Sequence, residues 1–246
     1  MNLKGQVAVV TGASRGVGQV IADALKARGL IVARVARQAT RFTADVADPT
    51  DVDRLKAEVE AELGRPTVLV NAAGIFGPIA LIKDSNPDAW IETLMINAVG
   101  PYLVSRAFLD GLLDAGWGRI INLSSAASLH TPGPLNSAYA TAKVALNQWT
   151  RHLAAELEGT GVTANVIHPG DVKTAMWADI RDKATTSGHK GSKYKSWVAW
   201  VEETGGDPPE KAAQLVIDII ESDVNGRFLW IDDPLQTPIP SWGDNE

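Results

Sequence analysis

Residues 7–18 read VAVVTGASRGVG, a β-branched run that leads directly into a turn with three glycines. The run predicts a buried strand, and the amphipathic stretch from about Gly16 to Arg28 predicts a helix immediately after it. Glycines allow a sharp turn, and the free N–H groups at a helix N-terminus can bind a phosphate. The spacing is G-x-x-x-G-x-G, which fits either the pyrophosphate site of a dinucleotide or a tight turn without a ligand.

The rest of the chain continues this alternation of short apolar runs and longer helical stretches. Continuous apolar strands joined by helices predict an α/β fold, in which a doubly wound parallel sheet of the Rossmann-like kind forms one domain over residues 1–246. The predicted strands are Val7–Val10, Ile31–Ala36, Val68–Val70, Arg119–Leu123, Val162–His168 and Arg227–Ile231, and the helices after the first are Asp51–Leu63, Trp90–Leu113, Ala138–Leu157 and Pro209–Ile220.

Two segments depart from the alternation. The link between Arg37 and a further candidate strand at Phe42–Asp45 is too short for a helical crossover, which takes roughly a dozen residues. The segment Arg181–Lys195 is polar, basic and glycine-containing, so it predicts a mobile surface loop.

Composition narrows the function classes. The chain has no cysteine, which excludes disulfides, thiolate metal sites and a cysteine nucleophile. A formal net charge of −6 argues against broad nucleic-acid binding. Neither a secretory signal nor an apolar run of the ~20 residues that span a bilayer is evident, so we expect a cytoplasmic protein outside the membrane. No His/Asp/Glu cluster has metal-ligand spacing, and Asp232-Asp233 is interpreted as a turn, so we expect no metal.

The glycine turn also contains a competing motif. Residues 12–16, GASRG, satisfy G-x-S-x-G, the nucleophile elbow of serine hydrolases. His130, His152, His168 and His189 follow it, so chain order alone allows a hydrolase. The elbow normally follows several strands of a sheet, whereas only one strand can precede it here, and this disfavours hydrolysis.

A tyrosine and a lysine supply candidate acid–base chemistry. Tyr139 and Lys143 are four residues apart on a predicted helix, so their side chains share one face. A nearby ammonium lowers the pKa of a tyrosine from its usual ~10, and such a tyrosine can give a proton to a carbonyl or take one from an alcohol. Ser125, or its neighbour Ser124, follows a strand end and could stabilise charge on the same oxygen. Two surface neighbours would show the same spacing, but the glycine turn favours catalysis.

At five places the sequence resembles the short-chain dehydrogenase/reductase family. Residues 11–18 match its T-G-x-x-x-G-x-G turn, residues 71–74 resemble its N-N/A-A-G stretch, and residues 169–174 match P-G-x-x-x-T. Asn97 resembles the family's helix asparagine, and Ser125 with Tyr139 and Lys143 resembles the S…Y-x-x-x-K signature. The motifs occur in family order across nearly the whole chain.

The resemblance implies an oxidoreductase that moves a hydride between a nicotinamide dinucleotide and a small carbonyl/alcohol substrate. It implies a catalytic tetrad of Asn97, Ser125, Tyr139 and Lys143, in which Lys143 also holds the nicotinamide ribose and Asn97 holds a water of the proton relay. It further implies a homo-oligomer, dimer or tetramer, that pairs the helices Asn97–Leu113 and Ala138–Leu157. The implied cofactor-binding residues are Gly12, Ser14, Arg15, Gly16, Val17, Gly18, Arg37, Asp45, Val46, Asn71, Ala72, Gly74, Tyr139, Lys143, Pro169, Gly170, Val172 and Thr174.

The end of the second strand bears on the choice between NADP(H) and NAD(H). NAD-preferring relatives usually carry a carboxylate there, which accepts hydrogen bonds from the ribose 2′-OH. This chain has Ala36 followed by Arg37, and an arginine can bind a 2′-phosphate bidentately, with Arg15 adding a second positive charge. The alternative is that both arginines are solvated surface residues. We expect NADP(H), with NAD(H) as the second choice, and Asp45-Val46 resembles the family's adenine-side pair.

Substrate specificity in this family generally comes from the region after Pro169-Gly170, which implies a substrate lid at about residues 175–208. Its aromatic residues either wall an apolar or ring-bearing substrate or pack the lid onto the domain. Its basic residues either attract an anionic substrate or form a solvated loop. The alternative function is a catalytically idle dinucleotide-binding or sensing protein, which the presence of Tyr139 and Lys143 disfavours. The aromatic residues are Trp177, Tyr194, Trp197 and Trp200, and the basic residues are Arg181, Lys183, Lys190, Lys193 and Lys195.

Overall fold

A sheet of seven parallel strands runs through the part of the chain that the computed structural model describes, residues 3–186 and 191–231, with the backbone alone for 184–186 and 193. The strands are β1 (Val7–Thr11), β2 (Ile31–Ala36), β3 (Phe42–Thr43), β4 (Val68–Asn71), β5 (Gly118–Leu123), β6 (Val162–His168) and β7 (Phe228–Trp230). Their order across the sheet is β3-β2-β1-β4-β5-β6-β7. The predicted doubly wound sheet is therefore confirmed.

Helices cover both faces of this sheet. Within the described ranges they are α1 (Gly16–Ala27), α2 (Pro49–Leu63), α3 (Pro87–Leu94), α4 (Gly100–Asp114), α5 (Ser137–Glu156), α6 (Ala175–Thr186), α7 (Ser192–Thr204) and α8 (Pro209–Ile220). Strand side chains alternate between the faces, so Ala8 and Val10 pack with α1 and α8, whereas Val9 packs with α2, α4 and α5. Two buried faces explain why β1 and β4 are almost continuously apolar. None of the described helices is both long and apolar enough to cross a membrane.

Local sequence sets where the helices begin. Asp48 caps α2 by accepting a hydrogen bond from the Thr50 N–H at 2.8 Å, and Pro49 occupies the first helical position. The helix therefore starts slightly before the predicted Asp51. The predicted helix Trp90–Leu113 is realised as α3 and α4, joined by a π-helical turn at Met95–Val99.

The link from β2 to β3 is as short as its sequence indicated. The chain passes through Arg37–Arg41 without a helix, and Ala39 in this link has a φ of 64°. The short link allows only two paired positions, Val35 with Phe42 and Ala36 with Thr43. As a result Arg37 stays at the carboxyl end of the sheet.

The prediction of a mobile loop over Arg181–Lys195 is wrong for most of that segment, because α6 and α7 include all of it except residues 187–191. Trp177 on α6 packs against Val198 and Val201 on α7, and all three side chains are buried. This apolar contact stabilises two helices whose polar composition had indicated a loop. Residues 187–190, with His189 and Lys190, lie outside the described ranges, as does the predicted turn at Asp232-Asp233.

Candidate active site

A cavity of about 960 Å³ opens where the strands end at their carboxyl edge. In an open parallel sheet this edge is where ligands bind, at the point where the strand order reverses. Here the reversal falls between β1 and β4. Every site residue predicted from the sequence lines this cavity except Asn71.

The glycine turn after β1 approaches the end of β4 closely. Gly12 has a φ of 67°, and a Cβ at this position would lie 2.7 Å from the Ala72 carbonyl oxygen. A Cβ on Gly18 would lie 2.5 Å from the Gly12 carbonyl oxygen, so α1 can pack this close only with glycine. Arg15 is the N-cap residue of α1, and its side chain accepts no hydrogen bond from the first N–H groups of this helix. The turn thus leaves a space without side chains beside free N–H groups, which fits a pyrophosphate.

The phenol of Tyr139 and the amine of Lys143 lie together in the cavity. The Lys143 Nζ is 5.5 Å from the centre of the Tyr139 ring, and it donates a hydrogen bond to the Leu123 carbonyl oxygen at 2.7 Å. Burial raises the pKa of Tyr139 to about 12, and it lowers the pKa of Lys143 to about 7. The pKa of Tyr139 is therefore raised, and the influence that opposes burial is the hydrogen bond with Ser125 instead of the expected effect of the lysine. A phenol that stays protonated at neutral pH is suited to donating a proton.

Asn97 lies in the π-helical turn between α3 and α4 and is fully buried. Its Nδ2 donates to the carbonyl oxygens of Thr93 at 2.8 Å and Ile75 at 2.9 Å. Its Oδ1 has no hydrogen-bond partner in the described part of the chain. A Cβ on Gly74 would lie 2.7 Å from this Oδ1 and 3.9 Å from the Lys143 Nζ. Glycine at position 74 therefore keeps open the space between an unpaired acceptor and the buried amine.

The structure distinguishes the two neighbouring serines. The side chain of Ser125 hydrogen-bonds that of Tyr139, and its Oγ accepts from the Ala127 N–H at 3.2 Å. Ser124 is 3% exposed, and its Oγ lies 3.4 Å from the Ser128 Oγ instead. Ser125 is therefore the serine placed to act with the tyrosine.

Asn71 is the exception among the predicted cofactor-binding residues. Its side chain is buried beneath the cavity, where Nδ2 donates to the Asn122 Oδ1 at 2.8 Å and the Ser105 Oγ at 3.2 Å. Asn71 ends β4 and Asn122 pairs with it on β5, so the amides join two strands. The Asn71 side chain thus joins the ends of two strands in this structure, and its predicted contact with the cofactor stays a prediction.

The end of the cavity beside β2 carries two exposed arginines. Arg15 and Arg37 both line it, and neither forms an ion pair within the described residues. Asp45 and Val46 lie beside them, and the Asp45 Oδ1 accepts from the Ala47 N–H at 3.0 Å. Two unpaired guanidinium groups make this end of the cavity attractive to an anion.

Phe76 is a cavity residue that the sequence reasoning missed. Its ring stacks on Tyr139 with the centroids 4.7 Å apart and an angle of 29° between the planes. Tyr194 from α7 packs edge-on against Phe76 at 6.1 Å. The only available signal was an aromatic residue two positions after the motif at residues 71–74, in a stretch without helical or strand periodicity.

The tryptophans after the last motif divide between the two predicted roles. Trp177 and Trp197 line the cavity, whereas Trp200 is 45% exposed. Trp177 also packs α6 against α7, so it both walls the cavity and stabilises the helical pair. Trp197 hydrogen-bonds the carboxyl group of Asp171, whose pKa is raised mainly by burial.

Comparison with known proteins adds the family. The short chain dehydrogenase profile matches residues 6–185. The chain belongs to the short-chain dehydrogenase/reductase family. Its members are NAD(P)-dependent enzymes that act on alcohol and carbonyl groups, so the family predicted from the five motifs is confirmed.

Individual relatives of this short-chain dehydrogenase/reductase match over most of the chain. The 3-oxoacyl-(acyl-carrier-protein) reductase FabG of Pseudomonas aeruginosa is 34% identical over 198 residues, covering 73% of this chain and 79% of that protein. A short chain dehydrogenase of Pseudocercospora fijiensis is 32% identical over 206 residues, covering 76% of this chain but 66% of that protein. An actinorhodin polyketide ketoreductase solved with NADPH has a TM-score of 0.82 at 27% identity, with 92% of this chain and 95% of that chain covered.

The geometry gives no support to the serine-hydrolase alternative for this family member. Ser14 lies in the glycine turn, and the histidines of the described ranges have other contacts. His152 contacts Gln148, His130 stacks on Trp230, and the His168 Nδ1 accepts from the Ala126 N–H at 3.3 Å. Ser14 therefore has no histidine base among the described residues.

Proposed function

We propose that this short-chain dehydrogenase/reductase is an NADP(H)-dependent carbonyl reductase in which Tyr139 donates the proton. The observation that carries the proposal is the grouping of Tyr139, Ser125 and Lys143 in the cavity that also contains the glycine turn. Carbonyl reduction by a nicotinamide requires a proton donor beside the bound dinucleotide. The three side chains supply the proton donor, and the glycine turn supplies the dinucleotide site.

The cavity residues fit a nicotinamide dinucleotide. Glycine at positions 12 and 18 allows the turn to pack directly against backbone atoms, which leaves the N–H groups at the start of α1 for the pyrophosphate. Arg15 and Arg37 suit a 2′-phosphate. When bound, the reduced cofactor supplies the hydride that a carbonyl carbon receives. We assign Asp45 and Val46 to the adenine, Ala72 and Gly74 to the central part, Lys143 to the ribose, and Pro169, Gly170, Val172 and Thr174 to the nicotinamide side.

The chain's own groups account for the proton. The Ser125 hydroxyl donates a hydrogen bond to the substrate oxygen and stabilises the negative charge that develops there. Tyr139 gives its proton to that oxygen, so the carbonyl becomes an alcohol and the tyrosine a phenolate. The Lys143 amine stabilises the phenolate, and the free Asn97 Oδ1 is placed to hold a water through which the proton is replaced.

The substitution Tyr139→Phe tests this assignment. We expect kcat to fall by at least about 100-fold while the Kd for NADPH stays nearly constant, because only the acid is removed. The assay follows nicotinamide absorbance with a panel of ketones, aldehydes and alcohols and with both cofactors. Tyr102→Phe is the matched control, since Tyr102 is 47% exposed on α4. Retained turnover in Tyr139→Phe overturns the role of the acid, and NADPH binding without turnover of any substrate by the wild type favours the idle alternative.

The preference for NADP(H) over NAD(H) rests on Arg37. In Arg37→Asp a carboxylate repels the 2′-phosphate and can accept from a ribose 2′-OH, so we expect kcat/KM to shift toward NAD(H) by about 10- to 100-fold. Arg41→Asp is the control, because Arg41 is on the same link but pairs with the exposed Glu62. Unchanged selectivity in Arg37→Asp would reject the phosphate assignment.

The remaining parts of the proposal concern the substrate and the assembly. Phe76 stacks on Tyr139, and Trp177 and Trp197 line the same cavity, which favours an apolar or ring-bearing small molecule, with α6 and α7 as its lid. A homo-oligomer that pairs α4 and α5 is proposed from the family, and the exposed Tyr102 and Leu113 on α4 are consistent with it. A cytoplasmic location stays a prediction.

A further inference from the structure

One face of α5 carries a row of buried polar side chains at positions 139, 143, 147 and 150. This spacing places them on successive turns of one helix face. Each contacts the end of β5 or the turn that follows it. Tyr139 contacts Ser125, Lys143 contacts the Leu123 carbonyl oxygen, Asn147 contacts the Ser128 hydroxyl, and Thr150 accepts from the Asn122 amide.

The Ser128 hydroxyl links Asn147 to the backbone of the proposed catalytic serine. Its Oγ donates to the Ser125 carbonyl oxygen at 2.6 Å and accepts from the Asn147 Nδ2 at 2.9 Å. The Ser128 N–H donates to the same Ser125 carbonyl at 3.0 Å. Ser128 and Asn147 are each 6% exposed, so solvent does not compete strongly for these bonds.

The direction of these hydrogen bonds follows from the chemistry of a hydroxyl group. Ser128 has one hydroxyl proton, and Asn147 donates to its oxygen, so the proton is left for Ser125. The network therefore ties the turn that carries Ser125 to the same helix that carries Tyr139. The hydrogen bonds in this way fix the distance between the side chains of Ser125 and Tyr139, although the two residues belong to different elements.

Asn147 also has a feature that stability alone does not explain. Its Oδ1 is buried and has no partner in the described ranges. A buried acceptor without a partner destabilises a protein, and an apolar side chain here would avoid that cost. The amide is thus better explained by what its Nδ2 does for Ser128.

We propose that Asn147 and Ser128 are positioning residues that hold the Ser125 hydroxyl against Tyr139 for proton transfer. The inference rests on the proposed function, since it assigns work to Ser125 and Tyr139. Neither positioning residue needs to touch the substrate, because they act through the backbone of Ser125.

The acid–base behaviour of Tyr139 gives a readout that a purely structural role would not change. Tyr139 faces Lys143 on its own helix, Ser125 from the turn after β5, and the Phe76 ring from the segment after β4. Among these contacts the hydrogen bond with Ser125 lowers the tyrosine pKa against the effect of burial. Displacing Ser125 should therefore move the kinetic pKa of Tyr139 upward.

The most direct variant is Asn147→Asp, which keeps the size of the side chain. A carboxylate accepts instead of donating, so it takes the Ser128 proton away from the Ser125 carbonyl. We expect kcat to fall by about 10- to 100-fold. This decrease is at most comparable to the decrease in kcat that follows removal of an oxyanion-hole donor. The KM for NADPH should stay nearly constant, and the limb of the pH–kcat profile due to Tyr139 should move to higher pH.

Three further variants complete the experiment. Ser128→Ala should show the same kcat and pH effects, and Ser128→Thr, which keeps the hydroxyl, should restore most of the activity. Thr150→Val is the matched control, because Thr150 is buried on the same face but contacts Asn122 rather than the Ser125 turn. It should lower stability while leaving kcat and the pH profile close to the wild type.

The outcomes separate this inference from the proposed function. Wild-type kcat and pH profiles in Ser128→Ala and in folded Asn147→Asp would overturn the positioning role. If the wild type reduces no carbonyl compound, the proposed function fails, and NMR of isotope-labelled tyrosine still decides the inference. A phenolic carbon signal of Tyr139 that moves in Asn147→Asp as it does in Ser125→Ala supports the positioning role, and an unmoved signal overturns it.

Discussion

The buried amine of Lys143 should make the stability of the cofactor-free chain depend on pH. Lys143 is 5% exposed, and burial lowers its pKa to about 7. A lysine in an unfolded chain titrates near ~10.4. Between these two values the unfolded chain binds a proton that the folded chain does not, so the free energy of unfolding rises as the pH rises. At about 1.4 kcal/mol for each pKa unit, the full interval corresponds to at most about 5 kcal/mol.

The substitution Lys143→Met isolates this effect, because it keeps an unbranched chain and removes the amine. Urea unfolding of both proteins without cofactor can be followed by the fluorescence of the eight tryptophans. From pH 7 to pH 9 we expect the wild type to gain up to about 3 kcal/mol of unfolding free energy relative to the variant. Titrations common to both proteins cancel in this difference. Lys26→Met, which removes an exposed lysine of α1, is the control for losing a lysine as such.

The experiment stops at pH 9 because Tyr139 acts with the opposite sign at higher pH. Burial raises its pKa to about 12, so its contribution to stability is present below about pH 10 and is lost as the pH rises toward 12. Parallel pH curves for the wild type and Lys143→Met would refute the reasoning. They would show that the folded chain keeps the Lys143 proton as readily as the unfolded chain does.

Three further substitutions have clear expected outcomes. Gly18→Ala places a methyl group 2.5 Å from the Gly12 carbonyl oxygen, so the Kd for NADPH, measured by nicotinamide fluorescence, should rise at least about 10-fold. Gly74→Ala places one 2.7 Å from the Asn97 Oδ1, so kcat should fall about 10-fold or more in steady-state assays, with a smaller change in NADPH affinity. Arg119→Met removes a buried guanidinium that donates to three backbone carbonyls, so urea unfolding should show a loss of about 3 kcal/mol, and a loss below about 1 kcal/mol would contradict this.

Much of the sheet and of the cofactor end could be predicted from local sequence. The apolar runs of β1 and β6 coincide with strands buried on both faces, so their pattern alone was sufficient. The glycine turn was recognisable because Gly12 and Gly18 meet backbone atoms that leave no room for a side chain. The shared face of Tyr139 and Lys143 followed from helical spacing.

The features that the sequence did not reveal depend on contacts between distant segments. The helical state of Arg181–Thr186 is stabilised by the packing of Trp177 against α7, which no local propensity encodes. The stacking of Phe76 on Tyr139 joins an irregular segment to a helix more than sixty residues away. Helical spacing predicts that Lys143 neighbours Tyr139, but the pKa of Lys143 depends on burial, which local sequence does not encode.

Three buried groups around the proposed site lower the stability of the folded chain. The Lys143 amine is desolvated, and the Oδ1 atoms of Asn97 and Asn147 lack partners in the described ranges. An unpaired buried acceptor costs about 1–3 kcal/mol. Unpaired buried side-chain atoms also occur elsewhere among the described residues, as at Trp149 and Thr163, but Asn97 lines the cavity and Asn147 contacts the turn that carries Ser125 through Ser128. Groups that lower stability are tolerated at a site where chemistry rather than packing determines the residues. We therefore expect Asn147→Leu to unfold at a urea concentration equal to or higher than that of the wild type while its kcat falls. An Asn147→Leu variant that is less stable than the wild type but equally active would contradict this trade-off.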